Sequence, residues 1–268
     1  MLKILRSHPD ISEAFLVATA RVPVVKFVHI PTGIACDLSC SSPMGVLNSK
    51  LLYLLQDFDV RVRPLLYALK IWAKSNRLIG FNDSSLSSYA FTLLVLFYLQ
   101  QTTPPVVPGV NCFQKEVLFE NQSLYNEWGV SFQVPSKDMR TAYQNKESII
   151  NLLIGFFHFY SQLDSSGVVI CPLYGILVPK PLFFEKFSSV FDNSKTPMKI
   201  TSFTVQDPLE LNFNVTSNFR HVELFQSLCK SGEQMCGNPN LLWLFVNNWS
   251  LEGKQNSKER KGKKHRKD

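Results

Sequence analysis

Several features that would point directly to a function are missing from this 268-residue sequence. Six cysteines occur without a Cys-x-x-Cys pair and the five histidines are scattered, so a zinc site is not indicated. The longest apolar run, residues 90–99, is too short to cross a bilayer. The first residues, MLKILRSHPD, lack the long apolar segment of a secretory signal. These absences favour a soluble intracellular protein with free thiols, not associated with a membrane.

Charge is concentrated at the carboxyl end of the chain. The formal net charge is +7, but residues 254–268 carry eight Lys or Arg and two Asp or Glu, which leaves about +1 for the rest. A nucleic-acid surface on the globular part should therefore be a local patch. The tail is either a disordered polar end or a nuclear localisation signal or RNA-binding arm. A hydrophobic content of 45%, with 21 Phe, predicts a large buried core elsewhere.

Hydrophobic periodicity predicts short strands followed mainly by helices, an α+β arrangement. Strands are expected at residues 15–20, 22–29 and 34–39, with a turn at 31–33. Helices are expected at residues 2–11, 43–55, 57–76, 148–161 and 222–229. A further helix should begin after a polar cap at residues 82–85 and end at residue 101. Residues 104–136 should be rich in loops. Residues 168–177 form a strand-like stretch, and residues 180–195 are expected to be irregular. Residues 203–214 predict a strand that enters a turn and a following helix.

Two predicted helices carry the first candidate site. Lys70 and Lys74 are one helical turn apart and so share a helix face. Ser88 and Tyr89 open the next helix. Two cations near a hydroxyl and an aromatic ring would suit a triphosphate and its base. The alternative is an amphipathic helix with solvated lysines.

Two further residues allow two interpretations each. Asp37 lies within a predicted strand, where a buried carboxylate would need a partner or a metal. It is either a ligand of a divalent metal or a residue on the solvent face of an edge strand. His158 has apolar neighbours and no acidic residue close in sequence, which favours a core or interface histidine over a catalyst.

Five blocks in one order resemble the noncanonical poly(A) polymerases and terminal uridylyltransferases. The blocks read CDLSCSSPMGVLNSKLL, DVRVRPLLYALKIWAK, SSLSSYAFTLLVLFYLQ, NLLIGFFHFYSQLD and VQDPLELNFNV. The resemblance implies the remnant of a polymerase-beta-like palm sheet at residues 1–42. A mostly helical central and poly(A)-polymerase-associated domain would follow at 43–250, and a disordered basic tail at 251–268. The stretches PVVKF, VRPLLYALKIWA and TTPPVVP are most like the nuclear uridylyltransferases, with the mitochondrial poly(A) polymerases as the alternative.

The resemblance also implies the roles of individual residues. The family transfers UMP or AMP from UTP or ATP to an RNA 3' end by a two-metal mechanism with Mg²⁺ or Mn²⁺. Asp37 would be a catalytic metal ligand. The nucleotide would be bound by Asn48 and Ser49 at the ribose, Lys70, Lys74 and Ser88 at the phosphates, Tyr89 by stacking, and Asp207 and Glu210 at the base edge. A nuclear location is expected, with mitochondrion or cytoplasm as alternatives.

Two departures from the family pattern qualify this expectation. No Gly-Ser motif followed by Asp-x-Asp precedes Asp37, so two of three metal aspartates are absent. We therefore expect a fragment, a mis-predicted gene start or an inactive isoform, in which case the family's activity belongs to the full-length protein. Phe213 stands where uridylyltransferases often have a His, which leaves the choice between U and A open. A nucleotide- or RNA-binding module without chemistry is the main alternative, and an unrelated helical protein is another.

Overall fold

A computed structural model describes residues 1–19, 22–39, 44–113, 132, 134–186 and 198–238. The chain divides into two compact units, Met1–Leu52 and Tyr53–Asp268. Cys40 and the basic tail predicted at 251–268 fall outside the described residues. The predicted domain boundaries stay predictions.

The first unit contains a helix and an antiparallel sheet. Helix α1 (Leu2–Ser7) precedes strands β1 (Ile11–Val17), β2 (Val24–His29) and β3 (Ile34–Leu38), which pair in the order β1-β2-β3. The predicted turn is confirmed, with Gly33 at φ +65°. The predicted helix at 2–11 is too long. His8 is extended at φ −83° and ψ 130°, as expected of a residue before proline, and the strand then begins at Ile11.

Among the described residues, seven helices build most of the second unit, and the first of them begins before residue 53. The helices are α2 (Met44–Phe58), α3 (Val62–Ser75), α4 (Ser88–Gln101), α5 (Lys137–Ala142), α6 (Ile149–Gln162), α7 (Lys180–Lys186) and α8 (Val222–Gly237), with a 3-10 turn at Val110–Phe113. A small sheet has the order β5-β4-β6, formed by β4 (Val168–Cys171), β5 (Ile176–Pro179) and β6 (Thr204–Val205). The mixed helix and sheet character predicted from the sequence is confirmed.

Helix α4 forms the centre of the second unit. Every residue from Ala90 to Gln100 is buried, so this helix has no solvent-facing side. It packs against α3 and α6. Aromatic rings fill the contact with α6, including an edge-on pair of Tyr98 with Phe156 at 5.8 Å between ring centroids.

Two arginines fix the corner between α2 and α3. Arg61 binds both carboxylate oxygens of Asp59, at 2.9 and 2.8 Å, and donates to the backbone carbonyls of Asn145 and Glu147. Arg140 donates to the last carbonyls of α2, which helix geometry leaves without partners. The prediction of a single helix at 57–76 therefore has the wrong start, because α2 extends to Phe58 and α3 begins only at Val62.

Three further predictions need correction. Residues 168–177 form a hairpin, with Gly175 at φ +66° in its turn, because β4 and β5 pair antiparallel. Residues 180–186, predicted as irregular, are helix α7. Within residues 203–214 the strand is limited to Thr204–Val205, and the helix expected in this range does not form, since the next helix is the one predicted from Val222.

His158 is not a core residue. Its side chain is 63% exposed, and its Nδ1 lies 2.8 Å from an oxygen of Glu233 on α8. This acidic partner is 75 positions away in sequence, so the residues next to His158 could not predict it. The pair links two helices at the surface. Among the described residues, no helix is both long and apolar enough to span a membrane.

Candidate nucleotide site

The two lysines predicted to bind phosphate lie on helix α3. Leu65, Leu69 and Ala73 bury the opposite face, so the helix is amphipathic as predicted. Lys70 is half-buried and Lys74 is exposed. Burial and the neighbouring charge of Lys74 both lower the pKa of Lys70. Because two like charges are held one turn apart, an anion between them would relieve their repulsion.

The amino-terminal end of α4 presents Ser88 and Tyr89. The residue that caps this helix is Ser87, whose Oγ accepts the backbone N–H of Ala90 at 3.0 Å. The predicted cap at 82–85 instead forms its own turn, in which Ser85 accepts the N–H of Phe81. Ser88 is exposed, whereas Tyr89 is half-buried. The start of this helix therefore reaches solvent, although the rest is buried.

Asp207 is the buried carboxylate of the second unit that lies beside Tyr89. It is only 3% exposed, and its Oδ1 accepts the backbone N–H groups of Leu209 at 2.8 Å and Glu210 at 3.1 Å. The hydroxyl of Tyr89 donates to the same oxygen at 3.5 Å. Burial raises the pKa of Asp207, although the two N–H donors oppose this shift. Burial and the nearby Asp207 carboxylate raise the pKa of Tyr89.

The Asp207 turn positions Glu210 and Phe213. The backbone N–H of Asp207 donates to the carbonyl of Phe213 at 2.9 Å, and that of Phe213 donates to the carbonyl of Glu210 at 2.8 Å. The carboxylate of Asp207 closes the same turn from inside. Hydrogen bonds of Asp207 thus fix the backbone of the turn that contains Glu210 and Phe213.

A pocket of about 340 Å³ lies between two loops of the second unit. Tyr89, Phe213 and Phe219 supply aromatic walls. Its other lining residues are mostly polar: Gly80, Asn82, Asp83, Ser85, Leu86, Ser87, Val215, Thr216, Ser217 and Asn218. An aromatic floor with many hydrogen-bonding groups suits a flat, polar ring such as a nucleobase. Sequence reasoning identified Tyr89 and Phe213 but missed Asp83 and residues 216–219, which begin six positions after the end of the DPLE motif.

Three predicted site residues belong to the first unit. Asp37 lies on β3, is 56% exposed, and pairs with Nζ of Lys26 at 2.9 Å. Asn48 is half-buried, and the Oγ of exposed Ser49 donates to the carbonyl of Gly45 at 2.8 Å. Among the described residues, no group of three or more His, Cys, Asp or Glu is arranged to hold a metal.

Comparison with known proteins identifies relatives along most of the chain. Residues 1–57 match the family described as poly(A) RNA polymerase, mitochondrial-like, central palm domain. The speckle targeted PIP5K1A-regulated poly(A) polymerase of Xenopus tropicalis is 34% identical over 244 residues, which cover 89% of this chain and 28% of that protein. Human terminal uridylyltransferase 7 is 31% identical over 220 residues, covering 80% of this chain and 14% of that protein. The chain thus spans less than a third of the length of these relatives.

Solved structures show the same fold. The crystal structure of mtPAP in complex with UTP superposes with a TM-score of 0.71 at 23% identity, covering 90% of this chain and 48% of that one. The Cid1 poly(U) polymerase with Mg and 3'-dATP gives a TM-score of 0.63 at 22% identity, covering 85% and 67%. The predicted polymerase-beta-like architecture is confirmed by these matches. Along most of its length, the chain is similar in sequence to noncanonical poly(A) polymerases and terminal uridylyltransferases.

Proposed function

We propose that this chain is part of an RNA 3'-terminal nucleotidyltransferase that transfers UMP or AMP from UTP or ATP. The observation that carries the proposal is the aromatic pocket of the second unit, in which Tyr89 stands beside the buried Asp207. Poly(A) polymerases and uridylyltransferases among its relatives support a reaction of this class. Related structures were solved with UTP and with 3'-dATP.

The base would stack on Tyr89 in this pocket. Stacking accepts any base, because every base has a π face. Selection must then come from hydrogen bonds, and a group that hydrogen-bonds its ligand discriminates strongly. Glu210 would supply such a bond, and Asp207 would hold the turn that presents it. Phe213 cannot hydrogen-bond a base through its ring, so the U over A preference should be weak.

The triphosphate would be held by the cations of α3. Lys70 and Lys74 supply two ammonium groups, and the exposed hydroxyl of Ser88 supplies a further donor. Within the described residues, neither lysine has an ion-pair or hydrogen-bond partner that would compete with phosphate. A polyphosphate would also remove the repulsion between the two lysines.

Asp37 is our candidate ligand for Mg²⁺ or Mn²⁺. The described residues fit such an ion poorly, because Asp37 already pairs with Lys26 and no cluster of three metal-binding side chains is found among them. We derive no reaction step through a metal from this chain. The roles of Asn48 and Ser49 at the ribose likewise stay predictions.

The proposed setting is the nucleus, with RNA 3' ends as the substrate. The name of the Xenopus tropicalis relative, which includes the words speckle targeted, supports this location. Mitochondrion and cytoplasm stay as alternatives, since mtPAP is among the structural relatives.

Nucleotide binding by the 268-residue chain tests the proposal. Isothermal titration should detect UTP or ATP, and Lys74→Ala should weaken binding about 10- to 100-fold, as expected for loss of a charge-assisted contact. Lys137→Ala removes an exposed cation of α5 and serves as the matched control. Unchanged affinity in Lys74→Ala would refute the assignment of the phosphate site.

A second assay separates the enzyme from the binding module. Labelled RNA is incubated with the chain, UTP or ATP, and Mg²⁺ or Mn²⁺. Extension of the RNA would show that the chain itself is active, whereas binding without extension would support the module. Phe213→His should then shift the affinity ratio towards UTP, because it adds a hydrogen-bonding group to the pocket.

A further inference from the structure

Helix α3 carries a narrow stripe of cations around one exposed aromatic ring. Arg63, Tyr67, Lys70 and Lys74 follow one another at intervals of four, three and four residues. At 3.6 residues per turn, all four lie within an arc of about 60°. The Tyr67 side chain is 65% exposed. We call these four residues the α3 stripe.

The α3 stripe has no negative charge of its own. Helix α3 contains no Asp or Glu. Within the described residues, neither Arg63 nor the two lysines form an ion pair or a side-chain hydrogen bond. By contrast, Arg61 and Arg140 each bind a carboxylate and backbone carbonyls. The cations of the stripe are thus available to an outside anion.

The stripe is too long for one triphosphate. Lys70 and Lys74 are about 6 Å apart along the helix axis, whereas Arg63 and Lys74 span about 16 Å. The pocket beside Tyr89 already offers a place for one base. Arg63 and Tyr67, at the other end of the stripe, are therefore left for a second ligand that carries both phosphate and an unpaired base.

We propose that Arg63 and Tyr67 bind single-stranded RNA, with a base stacked on Tyr67 and a phosphate paired with Arg63. Alternation of cations with an exposed aromatic ring is the pattern by which proteins hold single strands without sequence preference. An acidic peptide would satisfy the cations but would gain little from the ring. The inference rests on the proposed function, since Lys70 and Lys74 are assigned to the nucleotide.

Fluorescence anisotropy with a labelled 15-nucleotide single-stranded RNA tests this site on the full chain. Tyr67→Ala should weaken RNA binding about 5- to 100-fold, and Tyr67→Trp should retain it, because the ring supplies the stacking energy. Tyr53→Ala removes another exposed tyrosine, 59% exposed on α2, and is the matched control. All variants keep the same basic tail, so its contribution cancels in the comparison.

Arg63→Ala should reduce the slope of log affinity against log salt by about 0.7, the value for one phosphate contact on a single strand. Titration of UTP into Tyr67→Ala separates the two proposals, because nucleotide affinity should not change there. The inference is overturned if Tyr67→Ala binds RNA as tightly as the unmodified chain, if it loses nucleotide instead, or if the chain binds no RNA. Equal binding of polyglutamate, insensitive to Tyr67→Ala, would likewise overturn it. Circular dichroism checks that each variant is folded.

Discussion

Replacing Asp207 should loosen the turn that carries Glu210 and Phe213. The carboxylate accepts two backbone N–H groups at 2.8 and 3.1 Å in a site where it is 3% exposed. Asp207→Ala would leave both donors without an acceptor. Asp207→Asn keeps an oxygen at the same position and is the conservative comparison.

The size of the effect follows from these two donors. Leu209 and Glu210 are half-buried, so each N–H that loses its acceptor should cost up to about 1–3 kcal/mol. Removing the buried charge of Asp207 offsets part of this cost. We expect Asp207→Ala to lose about 2–4 kcal/mol of unfolding free energy and Asp207→Asn no more than about 1 kcal/mol. The bond from Tyr89 adds little, because it is long at 3.5 Å.

The pH dependence gives a second signature. Burial raises the pKa of Asp207 in the folded protein above the value of 3.8 that is usual for an exposed Asp. At a pH between the unfolded-state pKa and the folded-state pKa, the folded protein therefore binds more protons than the unfolded one. Unfolding free energy must therefore fall as the pH rises through this window. Asp207→Asn has no titrating carboxyl group at this position and so lacks this pH dependence. As the pH falls towards 4, the unfolding free energy of the unmodified chain should therefore rise relative to that of the variant.

Urea titrations followed by circular dichroism, repeated between pH 4 and pH 8, measure both effects. Tryptophan fluorescence, to which buried Trp72 contributes, gives an independent probe of the second unit. The reasoning fails if Asp207→Ala unfolds within about 0.5 kcal/mol of the unmodified chain. It fails equally if the difference between the unmodified chain and Asp207→Asn does not change with pH.

Two further substitutions test the packing that supports the site. Gly155→Ala would place a methyl group 2.1 Å from the hydroxyl of Tyr98 and should cost about 1–3 kcal/mol in a thermal melt, whereas Gly167→Ala meets open space and should be nearly neutral. Equal melting temperatures for these two variants would contradict the tight packing of α4 on α6. Arg61→Lys should cost about 2–3 kcal/mol, because an ammonium cannot reproduce the paired contact with carboxylate, whereas Arg63→Lys should be silent in the same denaturation assay.

Local pattern predicted the helices well where one face is buried or the whole helix is apolar. The buried face of Leu65, Leu69 and Ala73 identified α3, and the apolar sequence after Tyr89 identified α4. The boundaries were less predictable, because tertiary contacts decide them. The corner at Arg61 depends on carbonyls more than 80 positions away, which no local window contains.

The candidate site was only partly accessible to sequence reasoning. Tyr89 and Asp207 were both identified through the family resemblance, but their contact across 118 positions follows only from the fold. Asp83 has no pattern of its own that marks it as a wall of the pocket. The hairpin around Gly175 did carry a signal, since a glycine within a strand-like run often marks a turn.

Helix α4 has a consequence for how the second unit comes together. A helix with eleven consecutive buried residues gains little from folding before its neighbours arrive, so α3, α4 and α6 should form as one cooperative event. If they separate, the exposed apolar helix becomes a target for chaperones or for aggregation. A nucleotide seated at the start of α4 would oppose this separation by mass action. If the proposed nucleotide binds there, the cellular lifetime of the protein should therefore rise with the supply of that nucleotide.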